Sequence, residues 1–155
     1  METLYSGGPV LKLVLDEEPE DYFDNVDGMI ASFSENPEIS VVHVNGCFLY
    51  GLDDEMVEPV YRAIGKLPAL QELHMRGLVN VKSLGCLMAE ARGLKVLDLD
   101  NAQLDGNRDD FIDLEFSLKF HPALLDVSLQ NVDVSVCSIK VWSEIDGLVK
   151  AIVSM

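Results

Sequence analysis

Five segments of this chain share one spacing of apolar residues, and this internal repeat constrains the possible folds more than any other feature. Each segment has an aliphatic side chain at its first, fourth and sixth positions. Their starts, at residues 10, 39, 70, 94 and 124, are 29, 31, 24 and 30 residues apart. The segments are Val10–Leu15, Ile39–Val44, Leu70–Met75, Leu94–Leu99 and Leu124–Leu129. A period of about 20–50 residues is typical of one domain that stacks a supersecondary unit several times.

Each unit is predicted to contain one strand followed by one helix. Within the segments the apolar side chains alternate, as in a strand, whereas between them the spacing becomes helical, as at Val57, Tyr61 and Ile64. The third unit is the shortest, and Leu84 and Leu87 are expected to mark only a brief helix. A residue that ends a helix precedes four of the five strands. These residues are Pro37, Pro68, Gly93 and Pro122.

The match extends beyond the strands. Three residues after the sixth position come Cys47, Leu78, Ala102 and Val132, and two residues further come Leu49, Asn80, Leu104 and Val134. This is the pattern L-x-x-L-x-L-x-x-(N/C)-x-L. The first unit has Glu18 and Glu20 at these places and is predicted to be an irregular N-terminal cap.

On these residues the chain resembles the leucine-rich-repeat family over roughly residues 9–152. It is similar to the long-repeat subclass typified by ribonuclease inhibitor and the tropomodulin C-terminal domain. The resemblance implies an α/β solenoid, a right-handed βα superhelix with a parallel sheet on its concave face and helices on its convex face. Residues 1–155 then form a single domain of about five repeats, with residues 1–8 as an N-terminal tail and 135–155 as a C-terminal helical cap.

A compact open α/β sheet is the competing fold, since it also alternates strands and helices. Its central strands should be apolar on both faces. Here the fifth and seventh positions are polar in most units, as with His74 and Arg76, which favours a sheet with one exposed face.

Charge narrows the function classes. The chain has 27 acidic and 11 basic residues, a net charge of −16, which argues against direct nucleic-acid binding and against binding to an anionic membrane surface. The acidity fits either a basic protein partner or solubility alone. No apolar run reaches the ~20 residues of a membrane helix, and no signal peptide is evident. Three scattered cysteines fit a reducing compartment, so we expect an intracellular, cytoplasmic location.

The exposed sheet face is the main candidate site. Strand side chains alternate between the two faces, so the third, fifth and seventh positions point away from the core. Neighbouring strands turn each position into a continuous row of side chains. The residues predicted to bind a partner there are His43, Asn45, Glu72, His74, Arg76, Asp98, Asp100, Asp126, Ser128 and Gln130.

Two other surfaces stay open as hypotheses. His43, His74 and Asp98 on successive strands could hold a metal or form a hydrolytic site, but no nucleophile or phosphate-binding loop accompanies them. An acidic N-terminal flank could dock a basic partner. Its residues are Asp16, Glu17, Glu18, Glu20, Asp21, Asp24 and Asp27, continued by Asp53, Asp54, Glu55 and Glu58.

These features together predict a non-enzymatic protein–protein interaction module. It would bind a protein through the concave face, the acidic flank or both. No catalytic residue, cofactor or resident metal is predicted. The alternative is a structural subunit of a larger multiprotein assembly, held by its helices or its open ends.

Overall fold

The computed structural model describes residues 3–6, 11–15, 26–45 and 54–133. Several predictions lie outside these residues: the helical cap at 135–155, the repeat positions at Cys47, Leu49 and Val134, and the acidic flank between residues 16 and 24. The described part alternates strands and helices as the repeat predicts. Its elements are β1 (Thr3–Ser6), β2 (Leu11–Leu15), α1 (Val26–Ser34), β3 (Ile39–Asn45), α2 (Asp54–Gly65), β4 (Glu72–Asn80), α3 (Val81–Glu90), β5 (Val96–Asp98), β6 (Ala102–Asp105), α4 (Arg108–Lys119) and β7 (Asp126–Ser128).

The sheet has the order β1-β2-β3-β4-β5-β7, and the strands from β2 onward pair in parallel. Each new repeat strand is added on the same side of the last one. Consecutive helices contact each other, so α1 to α4 form one row against a single face of the sheet. The fold is therefore a mixed α/β arrangement of a parallel sheet and helices. Strand β1, which lies within the predicted N-terminal tail at residues 1–8, pairs antiparallel with β2.

The core lies between the sheet and the row of helices. Along β3, Val42 and Val44 are buried while His43 and Asn45 are half-buried, so only one face of the strand enters the core. Helix α2 contributes Tyr61 and Ile64 to the same core. The pattern agrees with the prediction of a sheet with one exposed face. Burial of apolar side chains on this one face is what holds strands and helices together.

Three of the repeat units have a residue with positive φ at the same place, which the apolar spacing did not reveal. Gly77, Asn101 and Asn131 have φ values of 72°, 63° and 56°, and each occupies the eighth position of its unit. Glycine adopts this left-handed conformation without strain, and asparagine tolerates it better than most residues. In these three units, position eight therefore carries a residue that tolerates the left-handed conformation.

The third unit departs from the predicted pattern at this turn. Gly77 pairs with Ala102 and Val79 with Leu104, and Val79 is 0% exposed. Val79 therefore occupies the buried place that the sequence pattern assigned to Asn80. The Asn80 side chain instead accepts a hydrogen bond from the Ser83 amide and caps α3.

Helix α3 also corrects an expectation, because it spans ten residues rather than forming a brief turn. Its close approach to α2 depends on a glycine. A Cβ on Gly65 would lie 2.9 Å from the Leu87 carbonyl oxygen, so any side chain there would push the two helices apart.

Candidate functional site

The strand register brings the predicted surface residues into rows. His43 pairs with His74, His74 with Asp98, and Asp98 with Ser128, so these four residues lie side by side across β3, β4, β5 and β7. Neighbouring strands are about 4.8 Å apart, which places adjacent side chains in contact distance. We call these four residues the histidine row. The adjacency predicted from the repeat is confirmed.

Two imidazoles stack at the centre of this row. The ring centroids of His43 and His74 are 4.3 Å apart, and the ring planes differ by only 7°. His74 also lies between two carboxylates, with its Nδ1 atom 2.9 Å from Asp98 Oδ2 and its Nε2 atom 3.4 Å from Glu72 Oε1. The His74 side chain is 25% exposed, so this arrangement lies at the surface but is partly shielded from water.

A chain of hydrogen bonds continues from Asp98 toward the last described strand. The Asp100 amide donates to Asp98 Oδ1 at 2.9 Å. Asp100 Oδ1 in turn accepts from the Ser128 hydroxyl and from the Gln130 amide. Partial burial raises the pKa of Asp98, but the hydrogen bonds from His74 and from the Asp100 amide outweigh it and hold that pKa below its ordinary value. The carboxylate is thus fixed in its charged form.

The remaining predicted residues flank the histidine row. Glu72 pairs with Val96 and Val96 with Asp126, while Asn45 pairs with Arg76 on the other side. Arg76, Asp126 and Gln130 are exposed, whereas the other predicted binding residues are half-buried. Eight of the ten predicted binding residues therefore lie on one face of the strands, while Asp100 and Gln130 lie just beyond the ends of β5 and β7, where a hydrogen bond joins them. Four of the five charged ones are carboxylates: Glu72, Asp98, Asp100 and Asp126.

Only some residues of the acidic flank are available at the surface. Asp27 and Glu55 are exposed, as a docking surface requires. Glu58 instead forms an ion pair with Arg62 at 3.1 Å and accepts a hydrogen bond from the Cys86 thiol at 3.4 Å. Burial and the bond to Glu58 raise the pKa of the Cys86 thiol, which keeps it protonated and unreactive. Glu58 thus contributes to helix contacts rather than to a free acidic surface.

The alternative of a metal or hydrolytic site receives no geometric support in the part of the chain that the structure describes. No group of three or more His, Cys, Asp or Glu side chains among those residues could hold a metal ion. The Ser128 hydroxyl donates to Asp100 and not to a histidine, so no nucleophile–base pair forms along the histidine row. Likewise, no helix among these residues is long and apolar enough to span a membrane.

The described residues form an α/β fold with a mainly parallel sheet and a single row of helices. A solved structure with a similar fold is the C-terminal domain of tropomodulin from Caenorhabditis elegans. The TM-score is 0.61 and the sequences are 11% identical, with 92% of this chain and 84% of that chain covered. At this identity the likeness concerns the fold alone. No protein-family model matches the sequence. A search of curated proteins found no similar sequence.

Proposed function

We propose that this chain is a non-enzymatic protein-interaction module of about five repeats that binds a partner protein through its exposed sheet face. One observation carries the proposal: polar side chains on four neighbouring strands stand in register on a face that the core does not use. In a solenoid this face is concave, and such extended concave surfaces are what repeat proteins use for binding.

The hydrogen bonds on this face suit a binding role. His43 and His74 are stacked, and Asp98 and Asp100 are each held by at least two bonds. Side chains that are already ordered lose little conformational entropy when a partner binds. Stacking and bonding therefore prepare the histidine row for a partner without further rearrangement.

Charge suggests what the partner presents. Glu72, Asp98, Asp100 and Asp126 are carboxylates, and Arg76 is the basic residue among the ten predicted to bind. A basic segment would thus be attracted to the side of the face formed by β5 and β7. The acidic N-terminal flank would add long-range steering, which raises association rates more than affinity. We also infer that this chain meets its protein partner inside the cell, in the cytoplasm.

The test uses two variants with equal net charge. Arg76→Glu with Asp126→Lys reverses two exposed positions on the sheet face, while Lys82→Glu with Asp113→Lys reverses two exposed positions on the helices. Each immobilised full-length variant is exposed to cell extract, and retained proteins are quantified by mass spectrometry. We expect a partner that wild type and the helix variant retain but that the sheet-face variant loses. Retention by both variants would contradict the proposal.

The second candidate is a structural subunit held by its helices. One observation favours it: on the outer face of α4, Phe116 and Phe120 are 64% and 61% exposed, and Ile112 continues the same stripe. Their rings are 4.7 Å apart and form a small aromatic patch, and aromatic residues are enriched in interfaces. Partners lost with Phe116→Ser and Phe120→Ser, but kept with Arg76→Glu and Asp126→Lys, would favour this second function.

A further inference from the structure

A groove separates helices α1 and α2 on the helix side of the sheet. Its volume is about 430 Å³, within the range of about 300–1,000 Å³ that binding pockets occupy. Phe33 and Leu67 form its buried floor, and Ile30 and Ala63 are half-buried in its walls. Ala31 lines the groove from α1 and is exposed. We call this feature the α1–α2 groove.

Its charge is opposite to that of the rest of the protein. The ten lining residues include two cations, Arg62 and Lys66, and no carboxylate, although acidic residues outnumber basic ones by 27 to 11 in the chain. The Arg62 guanidinium is held by Glu58 at 3.1 Å and Glu90 at 3.7 Å. Lys66 is exposed and forms no ion pair with the described residues. Lys66 is therefore the cation available to a ligand.

We propose that the α1–α2 groove is a second binding site, which receives a segment of a partner protein that carries large apolar side chains next to carboxylates. The apolar side chains would pack against Ile30, Ala31 and Ala63, which remain accessible above the buried floor, and a carboxylate would lie beside Lys66. Docking of an apolar segment between two helices is a common mode of peptide recognition. This site lies on the other side of the sheet from the histidine row and does not depend on the role proposed for that row.

Charge complementarity with Lys66 favours an acidic segment as the ligand of the groove. Without a specific site, a chain of net charge −16 would attract basic peptides and repel acidic ones. Preference for an acidic apolar peptide therefore has to come from a local cation beside an apolar surface, and Lys66 at the α1–α2 groove supplies one. The same net charge disfavours a second copy of this chain as the occupant, since two such chains repel each other.

The experiment uses two synthetic peptides with identical leucine and phenylalanine positions, one with glutamates and the other with lysines between them. Binding to the full chain is measured by fluorescence anisotropy of a labelled peptide. We expect the glutamate peptide to bind, Lys66→Glu to weaken it about fivefold, and Ala31→Trp to weaken it about tenfold because the indole fills the groove. Each changed position is exposed, so the fold should tolerate both substitutions.

Matched controls come from α3. Lys82→Glu makes the same charge change and Ala89→Trp the same size change at exposed positions that do not line the groove, so both should leave the affinity unchanged. The proposal is overturned if the glutamate peptide does not bind, or if the controls weaken it as much as the groove variants. If Asp126→Lys weakens binding of the lysine peptide and Ala31→Trp does not, that peptide binds to the sheet face and not to the groove. Dimerisation abolished by Ala31→Trp would also overturn the proposal, because a second copy would then fill the groove.

Discussion

The sheet face and the α1–α2 groove present opposite surfaces on the two sides of one sheet. On the sheet face, His74 and Asp98 satisfy each other's hydrogen bonds before any partner arrives. In the groove, Phe33 and Leu67 floor an apolar depression with Lys66 at its edge. The first region is polar and mostly acidic, and the second is apolar and cationic.

The difference follows from how each region is built. Strand side chains on the exposed face repeat every two residues and every strand, so polar residues necessarily form rows. A groove between helices depends instead on how far two helices stand apart, and α1 and α2 leave space that α2 and α3 close through Gly65. One molecule can therefore offer a basic and an acidic partner separate sites.

The largest loss of stability should come from substitution at the groove floor, because its side chains also belong to the hydrophobic core. Phe33→Ala removes a side chain that is 2% exposed, and the free energy of unfolding should fall by about 3–5 kcal/mol. The control is Phe116→Ala on the outer face of α4, which should change it by less than about 0.5 kcal/mol. Urea unfolding followed by circular dichroism measures both. Equal losses would mean that Phe116 is packed as tightly as Phe33.

A smaller effect should come from His121, at the junction that leads from α4 back to the sheet. Its Nε2 atom donates to the Ala91 carbonyl oxygen at 2.7 Å, while Nδ1 accepts from the Ala123 and Leu124 amides at 3.1 and 3.0 Å. A proton on Nδ1 would break both backbone bonds. Burial, with Arg92 nearby, lowers the pKa of His121 below its ordinary value despite the bond to Ala91.

His121 should therefore make the fold sensitive to mild acid. The unfolded chain binds the proton more readily than the folded one, so stability contributed by His121 is full above pH 6.5 and is lost as the pH falls below that value. We expect His121→Ala to lower the free energy of unfolding by about 2 kcal/mol at neutral pH. The difference in the free energy of unfolding between His121→Ala and wild type should become smaller at about pH 5. A gap that is constant with pH would show that His121 titrates alike in both states.

The sheet face should respond to acid in a lower range. Because the pKa of Asp98 lies below its ordinary value in the fold, its contribution is present above the unfolded pKa of 3.8 and is lost as the pH falls through the folded value. Asp98→Asn should lower the free energy of unfolding by about 1 kcal/mol at neutral pH. The effect is small because water screens a partly exposed pair. Below about pH 3 wild type and variant should converge. Asp126→Asn, an exposed carboxylate in the same sheet, is the control and should change little.

Much of the sheet face was predictable, because repeat spacing and strand alternation together determine the register. Aligning His43, His74 and Asp98 by repeat position was enough to predict their adjacency. Their stacking and the bond from His74 to Asp98 depend on side-chain rotamers, which spacing does not determine. The one-residue shift at Val79 escaped prediction because the pattern gives every unit the same spacing, whereas Gly77 in the third unit pairs with Ala102, which lies one repeat position further along its own unit.

The groove was not predictable from the sequence. Its lining comes from two helices whose separation is a tertiary property that the spacing of apolar residues does not determine. The length of α3 was missed for a related reason, since the repeat pattern assigned Asn80 to the core, whereas its side chain caps the helix. Strand β1 lies outside the repeat, so no repeat argument could have found it.

The smallest predicted effect tests whether the two regions are independent. Lys66→Glu in the groove and Asp126→Lys on the sheet face each exchange an exposed charge, so each should change the free energy of unfolding by less than about 0.5 kcal/mol. Lys66 follows the end of α2 on the helix side, whereas the Asp126 side chain lies on the exposed face of β7. A double-mutant cycle should therefore give a coupling energy below about 0.5 kcal/mol. A larger coupling energy would mean that a change on one surface alters the stability contributed by the other. The two regions would then form one coupled system rather than two independent sites.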